Sequence, residues 1–402
     1  MKDWSERYAA RAQGMGASEI RELLKLLDQP DIISFAGGIP DPALFPREEI
    51  AEAHARILDD PAKAGAALQY SASEGYLPLR EWIVGHMASR GVACTAENVL
   101  ITNGSQQALD FIAKLMIDPG DTVLVSRPTY LGALQAFNAY QPVYDLLPGP
   151  DNNRSAGSYG GGSPKLKLGY AMPEFQNPTG LSLDLAQRRQ LVDDAHRLDI
   201  ALIEDAAYEQ LRYDGEAQPC LLALDAERSG GIDQARTLYC GTFSKTIVPA
   251  LRLGWIVGPK SVIQKLVLVK QAGDLHSGTL NQMVMHEVVS RLLRDQVTRI
   301  REVYRKRRDA MLTALETSMP EGVTWTRPEG GMFIWVTLPP EVDGAELLRR
   351  SIAEVRVAFV PGSAFHADRS GRNTLRLNFS LASETAITEG VGRLGGLLKA
   401  SR

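Results

Sequence analysis

The chain has 402 residues, of which 44% are hydrophobic and 23% charged, with 44 Lys and Arg against 48 Asp and Glu for a formal net charge of −4. That length exceeds one ordinary core and predicts two domains, while the slight acidity leaves no electrostatic case for nucleic acid. No apolar run approaches the ~20 residues of a membrane helix, so no membrane association is expected. Met1-Lys-Asp-Trp leads into no apolar stretch, which speaks against a secretory leader. Cys94, Cys220 and Cys240 are odd in number and far apart, the usage of reduced thiols in a cytoplasmic protein with neither a disulfide framework nor a zinc site.

In chain order, Ser18 to Leu27 predicts a helix, because Ile20, Leu23, Leu24 and Leu27 keep helical spacing and Pro30 closes it. A Gly/Pro loop follows, from Ile32 through Gly38 to Pro42. From about residue 98 short apolar runs alternate with helical stretches. Strands are expected at 99–102, 122–126, 167–172, 200–205, 237–240 and 253–257. Several lack alternation, as strands do when helices cover both faces of a largely parallel sheet. Residues 149–165, rich in Gly and Ser, read as a surface loop. A long helical pattern from Val262 to about Leu315 leads into strands at 323–326, 332–336 and 375–379, mixed with helices around 345–355 and 384–398. The fold expected is α/β: a large domain over 51–310 with a mostly parallel mixed sheet, and a smaller α+β domain formed by 311–402 with residues 1–50 as an arm docked on it.

The richest stretch for function is Gly241-Thr-Phe-Ser-Lys245-Thr-Ile-Val-Pro-Ala-Leu-Arg252. An amine suited to a Schiff base stands there beside hydroxyls and a guanidinium able to hold a phosphate, which are the needs of a pyridoxal phosphate site. A solvated loop lysine fits the same residues. Ligands collect at the carboxyl ends of the strands in open α/β sheets, and four further features fall at such places. Gly104, Ser105 and Gln106 open a helix whose free N–H groups and dipole favour an anion, although a plain N-cap, a common feature, fits the same residues. Asp205 ends an apolar strand and needs a partner, either a protonated ring nitrogen or the N-terminus of a following helix. Asn177, in Gln176-Asn-Pro-Thr-Gly180, is turn chemistry or a rigid amide donor. Arg376 stands alone in an apolar strand, to grip a substrate carboxylate or to form an internal salt bridge.

With these residues the chain resembles the class I/II aminotransferases of pyridoxal phosphate fold type I. Within them it is most similar to the group of 2-aminoadipate, kynurenine/aminoadipate and aromatic aminotransferases, LysN-type bacterial enzymes included. Ser34-Phe-Ala-Gly-Gly38-Ile-Pro40, Leu68-Gln-Tyr70-Ser, Gly104-Ser-Gln-Gln-Ala-Leu109, Phe175-Gln-Asn-Pro-Thr-Gly180 and Gly330-Gly-Met-Phe333 carry the likeness. The resemblance implies that Lys245 forms the Schiff base with the cofactor, that Asp205 pairs with its ring nitrogen, and that Asn177 and Tyr208 bond its phenolate oxygen. Tyr130 would stack on the ring. Gly104, Ser105 and Gln106, with Thr242, Ser244 and Arg252, would hold the phosphate, joined by Tyr70 from the partner subunit of a homodimer. Arg376, helped by Asn177 and the Gly38 backbone, would take the α-carboxylate, and Arg21 would meet a distal carboxylate. Residues 149–165 stand where the family has a more compact connection.

The implied reaction moves an amino group from an amino acid such as 2-aminoadipate, glutamate, or an aromatic or branched aliphatic one to a 2-oxo acid such as 2-oxoglutarate, in ping-pong order. A decarboxylase or lyase on the same fold would share the cofactor residues, but a carboxylate gripped by Arg376 is a poor leaving group. A cofactor-sensing regulator would need a DNA-binding segment in front of residue 1–50, for which the arm is too short.

Overall fold

The computed structural model describes residues 4–13, 31–149 and 165–400. The helix expected over 18–27 and most of the Gly/Ser stretch 149–165 therefore lie outside the described residues. Strand β1 (Ile33–Ser34) comes first. The large sheet then takes β2 (Val99–Thr102), β3 (Thr122–Val125), β4 (Val143–Leu146), β5 (Leu166–Ala171), β6 (Ala201–Asp205), β7 (Thr237–Thr242) and β8 (Gly254–Val257). Their order is β2-β8-β7-β6-β5-β3-β4. Pairs that exclude β8 are parallel, and β8 runs antiparallel to both its neighbours.

The apolar runs behave as a sheet covered on both faces requires. Along the strands, Leu100, Val123, Val125, Ile203, Leu238, Cys240 and Ile256 enter one hydrophobic core. Their immediate neighbours Val99, Ile101, Tyr239, Trp255 and Val257 enter a second, and Leu124 and Leu202 a third. Strand β4 escapes the reading of apolar runs because it lies at the edge, where Val143-Tyr-Asp-Leu is only partly covered. The long helical pattern divides in two: Lys260–Gly273 and the 40-residue helix Thr279–Ser318. The break falls at Asp274–Gly278, where Leu275 takes a left-handed backbone with φ 66°. Among the described residues no helix is long and apolar enough to cross a membrane.

The C-terminal part holds β9 (Thr324–Trp325), β10 (Phe333–Thr337), β11 (Val357–Ala358), β12 (Val360–Pro361) and β13 (Thr374–Asn378). Four of these form an antiparallel sheet in the order β12-β13-β10-β9. Strand β1 pairs in parallel with β11, so a segment near residue 33 is stitched to one more than 300 residues later. Arg376 occupies the middle of β13, opposite Trp335 on one side and Val360 on the other.

Register in the large sheet depends on a missing side chain. A Cβ on Gly241 would lie 2.2 Å from Cε2 of Trp255, and Trp255 is itself 1% exposed. Gly241→Ala is therefore expected to cost about 2 kcal/mol or more by overpacking, read as a lowered urea midpoint at unchanged slope.

Candidate active site

Register brings the functional residues to one edge. Parallel β6 and β7 deliver Asp205 and Thr242 at their carboxyl ends, and Gly254, at the start of antiparallel β8, pairs with both Thr102 and Thr242. The turns that follow or precede these positions carry Gly104–Gln106, Ser244–Lys245 and Arg252. They surround a cavity of about 380 Å³ lined by Gly38, Ser105, Gln106, Tyr130, Asn177, Asp205, Tyr208, Thr242, Ser244, Lys245, Arg252 and Arg376, with Ile39, Met172, Ala207 and Pro249.

One end of the cavity is built for an anion. Helix Ser105–Met116 starts at Gly104 with no side-chain cap, so its first N–H groups and the positive end of its dipole face the cavity. Gly104 has φ 82°, and a Cβ there would sit 2.5 Å from Nη2 of Arg252. The close approach of guanidinium and helix end thus requires glycine. Arg252 itself has φ 52°, and its guanidinium donates to Pro249 O at 3.1 Å and Asn103 O at 3.3 Å. The Thr242 hydroxyl donates to Ser244 Oγ at 2.9 Å. Gln106 anchors the wall by donating from Nε2 to Gly132 O at 2.7 Å, and Tyr130 folds back over Gly132, where a Cβ would strike its ring at 2.4 Å. A phosphate group fits this cup of N–H, hydroxyl and guanidinium donors.

At the centre, Lys245 Nζ donates to Gly38 O at 2.7 Å. Burial, then repulsion from Arg376 and Arg252, lowers its pKa to about 8, against the attraction of Asp205. Asp205 is 1% exposed and accepts from Tyr170 Oη at 2.8 Å and from the Ala207 N–H at 3.3 Å. Burial raises its pKa to about 6, although both hydrogen bonds and the Lys245 charge favour the carboxylate. A buried carboxylate without a full counter-charge fits a cationic ring N–H, and a nucleophilic amine beside it fits an aldehyde. The residues present therefore suit pyridoxal phosphate from phosphate to ring nitrogen.

At the other end stands Arg376, 2% exposed. It donates to Asn177 Oδ1 at 2.8 Å, Ala36 O at 2.8 Å and Gly37 O at 3.2 Å. Its guanidinium lies 4.3 Å from the Phe333 ring centroid and 5.0 Å from that of Phe365. Burial lowers its pKa to about 10, opposed by Tyr208 and Tyr130, and among the described residues its Nε has no hydrogen-bond partner. The internal salt bridge open from sequence is absent among the described residues. What remains is a desolvated cation held by carbonyls and aromatic faces, a place for an incoming carboxylate. Asn177 joins this end to the centre: it bonds Arg376 and also lies against Tyr208, where it favours the charged form of a hydroxyl that burial pushes far up.

One expected residue stands elsewhere, and another is not described. Tyr70 is 78% exposed and outside its own chain's cavity, its ring edge-on to His276 at 5.9 Å. Arg21 lies outside the described residues. Gly38 lends its carbonyl to Lys245, while Ala36 and Gly37 serve Arg376. Sequence reasoning missed Tyr170, Phe333 and Phe365 as parts of the site. A hydroxyl ending the apolar β5 beside Asp205 could have flagged Tyr170, whereas the two phenylalanines read simply as core.

Residues 30–394 match the family aminotransferase class I and II. Aromatic-amino-acid aminotransferase 1 of Thermococcus litoralis is 41% identical, with 99% of this chain and 95% of that protein covered. The structure of LysN, an α-aminoadipate aminotransferase from Thermus thermophilus complexed with N-(5′-phosphopyridoxyl)-L-leucine, superposes with a TM-score of 0.88 at 41% identity, covering 99% and 98% of the two chains. Kynurenine aminotransferase of Pyrococcus horikoshii gives 0.92 at 42% identity over 100% and 98%. The chain belongs to the class I and II aminotransferases. It is an enzyme that uses pyridoxal phosphate to move amino groups.

Two titrations test this geometry. A lysine at about 8 is half neutral one pH unit above neutrality, so capture of added pyridoxal phosphate by cofactor-free protein should rise with pH through a midpoint near 8. Absorbance after stopped-flow mixing reads it, and a midpoint at the ordinary lysine value of 10.5 would contradict the burial of Lys245. Asp205 has the opposite consequence for stability. Its folded pKa, about 6, lies above the ordinary 3.8, so the folded state holds the proton more tightly and stability falls as pH rises between those values. Asp205→Asn removes that fall. At neutral pH the cofactor-free variant is expected to be more stable, by on the order of 1–3 kcal/mol in urea unfolding, while amino transfer collapses.

Proposed function

We propose that the enzyme transfers the amino group of L-amino acids with acidic, aromatic or branched aliphatic side chains, including 2-aminoadipate and glutamate, to 2-oxo acids such as 2-oxoglutarate, in two alternating half-reactions. Arg376 carries this reading: a buried guanidinium that, among the described residues, has an unpartnered Nε and no carboxylate of its own asks for the α-carboxylate of a substrate. Relatives named for aromatic amino acids, aminoadipate and kynurenine support the breadth of donors.

Bound pyridoxal phosphate supplies an aldehyde carbon for the substrate amine and a ring that accepts the electron pair left at Cα. The protein's part is positional and acid–base. Ser105, Gln106, Thr242, Ser244 and Arg252 hold the phosphate, and Tyr130 covers the ring. Asp205 keeps a proton on the ring nitrogen, and Asn177 and Tyr208 donate to the phenolate oxygen. Arg376, with Asn177 beside it, fixes the carboxylate and so presents the Cα–H bond to Lys245. Lys245 Nζ removes that proton, a task suited to an amine near pKa 8. On this reading residues 51–310 carry the cofactor machinery, and the C-terminal part with the N-terminal arm contributes the carboxylate arginine. Tyr70, outside its own cavity, serves the phosphate of a partner subunit in a homodimer. Three free cysteines support a cytoplasmic setting.

A donor panel with 2-oxoglutarate, ranked by kcat/KM and assayed for CO2, tests the reading. Stoichiometric 2-oxo acid without CO2 is expected, and Lys245→Ala should abolish turnover. Arg376→Ala is expected to lower kcat/KM for α-amino acids by roughly a hundredfold or more, yet to spare transfer from a primary amine without a carboxylate. An equal loss for both donors would remove Arg376 from carboxylate recognition.

A further inference from the structure

Lys270 lines no part of the cavity, and its side chain is fully buried. Its ammonium donates to both oxygens of Asp274 at 3.0 Å, to Gln107 Oε1 at 3.2 Å and to Ser277 Oγ at 3.1 Å. Asp274 Oδ2 also accepts from Asn103 Nδ2 at 2.5 Å and Gln107 Nε2 at 2.8 Å. Gln107 Oε1 in turn accepts the Asn103 N–H at 2.8 Å. Asn103 is thereby fixed by side chain and backbone at once.

Asn103 is where the two halves of the anion cup meet. It immediately precedes Gly104 and the uncapped helix end, and its carbonyl accepts from Arg252 Nη2 at 3.3 Å. From Ser277 a second arm reaches the subunit edge. His276 Nδ1 lies 2.9 Å from Ser277 O and 3.3 Å from Ser71 Oγ. Thr279 Oγ1 donates to Ser71 Oγ at 2.8 Å, and Tyr70 rests edge-on against His276. Every oxygen of Asp274 is used, so the ion pair acts as a rigid peg between these arms.

We propose that Lys270 and Asp274 are positioning residues for the cofactor phosphate: the pair holds Asn103, and through it the helix end and Arg252, in the geometry of the anion cup, while Ser277 ties Tyr70 to the same amine. The proposal rests on the pyridoxal phosphate reading above. Lys270 also neutralises Asp274, whose charge would otherwise stand unpaired beside a site for a phosphate dianion. A buried ion pair is weak evidence for stability as such; its place under the cup gives it a specific use.

The test compares a cofactor with and without phosphate. Cofactor-stripped wild type and Lys270→Met are titrated with pyridoxal phosphate and with pyridoxal, following the absorbance of the bound chromophore. Lys270→Met is expected to weaken pyridoxal phosphate by roughly tenfold or more and pyridoxal by no more than about twofold. Parallel losses for both ligands, or no loss for either, would overturn the assignment. Should Lys270→Met fail to fold, the isosteric Asp274→Asn carries the same contrast. A wild type that binds neither ligand would defeat the cofactor reading itself, whereas equal losses in the variants would leave that reading standing and remove only the role of Lys270.

Discussion

Removing a charge from water without a hydrogen-bonded counter-charge is among the costliest things a fold can do to a side chain, and among the described residues this site does it at three points. Asp205, Lys245 and Arg376 are each shifted first of all by burial. Each is held by neutral partners: Tyr170 and a backbone N–H, the Gly38 carbonyl, and the carbonyls of Ala36 and Gly37 with Asn177. Neutral hydrogen bonds orient a charge without neutralising it. The three groups therefore retain their appetite for a cation, a carbonyl and a carboxylate, spaced along one cavity. Ligand binding and protein stability are linked through this debt of unpaired charge.

The surrounding fold is what makes such a site tolerable. Phe333 and Phe365 give Arg376 aromatic faces in place of a carboxylate. Trp255 fills the space above Gly241, and Gly104 admits Arg252 to the helix end. Reversing β8 within the sheet starts that strand, rather than ending it, at the functional edge. The turn bearing Arg252 is thereby set against the turn bearing Gly104.

Much of this was legible beforehand. Strands buried on both faces announced themselves as apolar runs, and their ends located Asp205, Gly104 and Lys245. Edge strand β4 did not, because its Tyr144 and Asp145 need no apolar cover on the open side. The helix break at Asp274–Gly278 was hidden inside a pattern that is helical on both sides. Arg376 was visible as an anomaly in β13, but whether it met a carboxylate within the chain depends on tertiary contacts that spacing does not encode. Tyr170 was read only as strand, since a tyrosine in a buried strand is ordinary until its hydroxyl has a neighbour. Lys270 and Asp274 were invisible for the same reason: at i, i+4 on a helix they read as a common surface pair.

The contacts that complete the cavity have extreme separations along the chain. Arg376 meets Ala36 across 340 positions, and Lys245 meets Gly38 across 207. Neither contact can form until the far partner, Lys245 or Arg376, has been synthesised. These contacts close some of the longest loops in the chain, a cost set by loop-closure entropy rather than by local propensity. A chain lacking β13 lacks Arg376 and with it the grip on a carboxylate. Completeness of the polypeptide is in this way checked by the same guanidinium that selects the substrate.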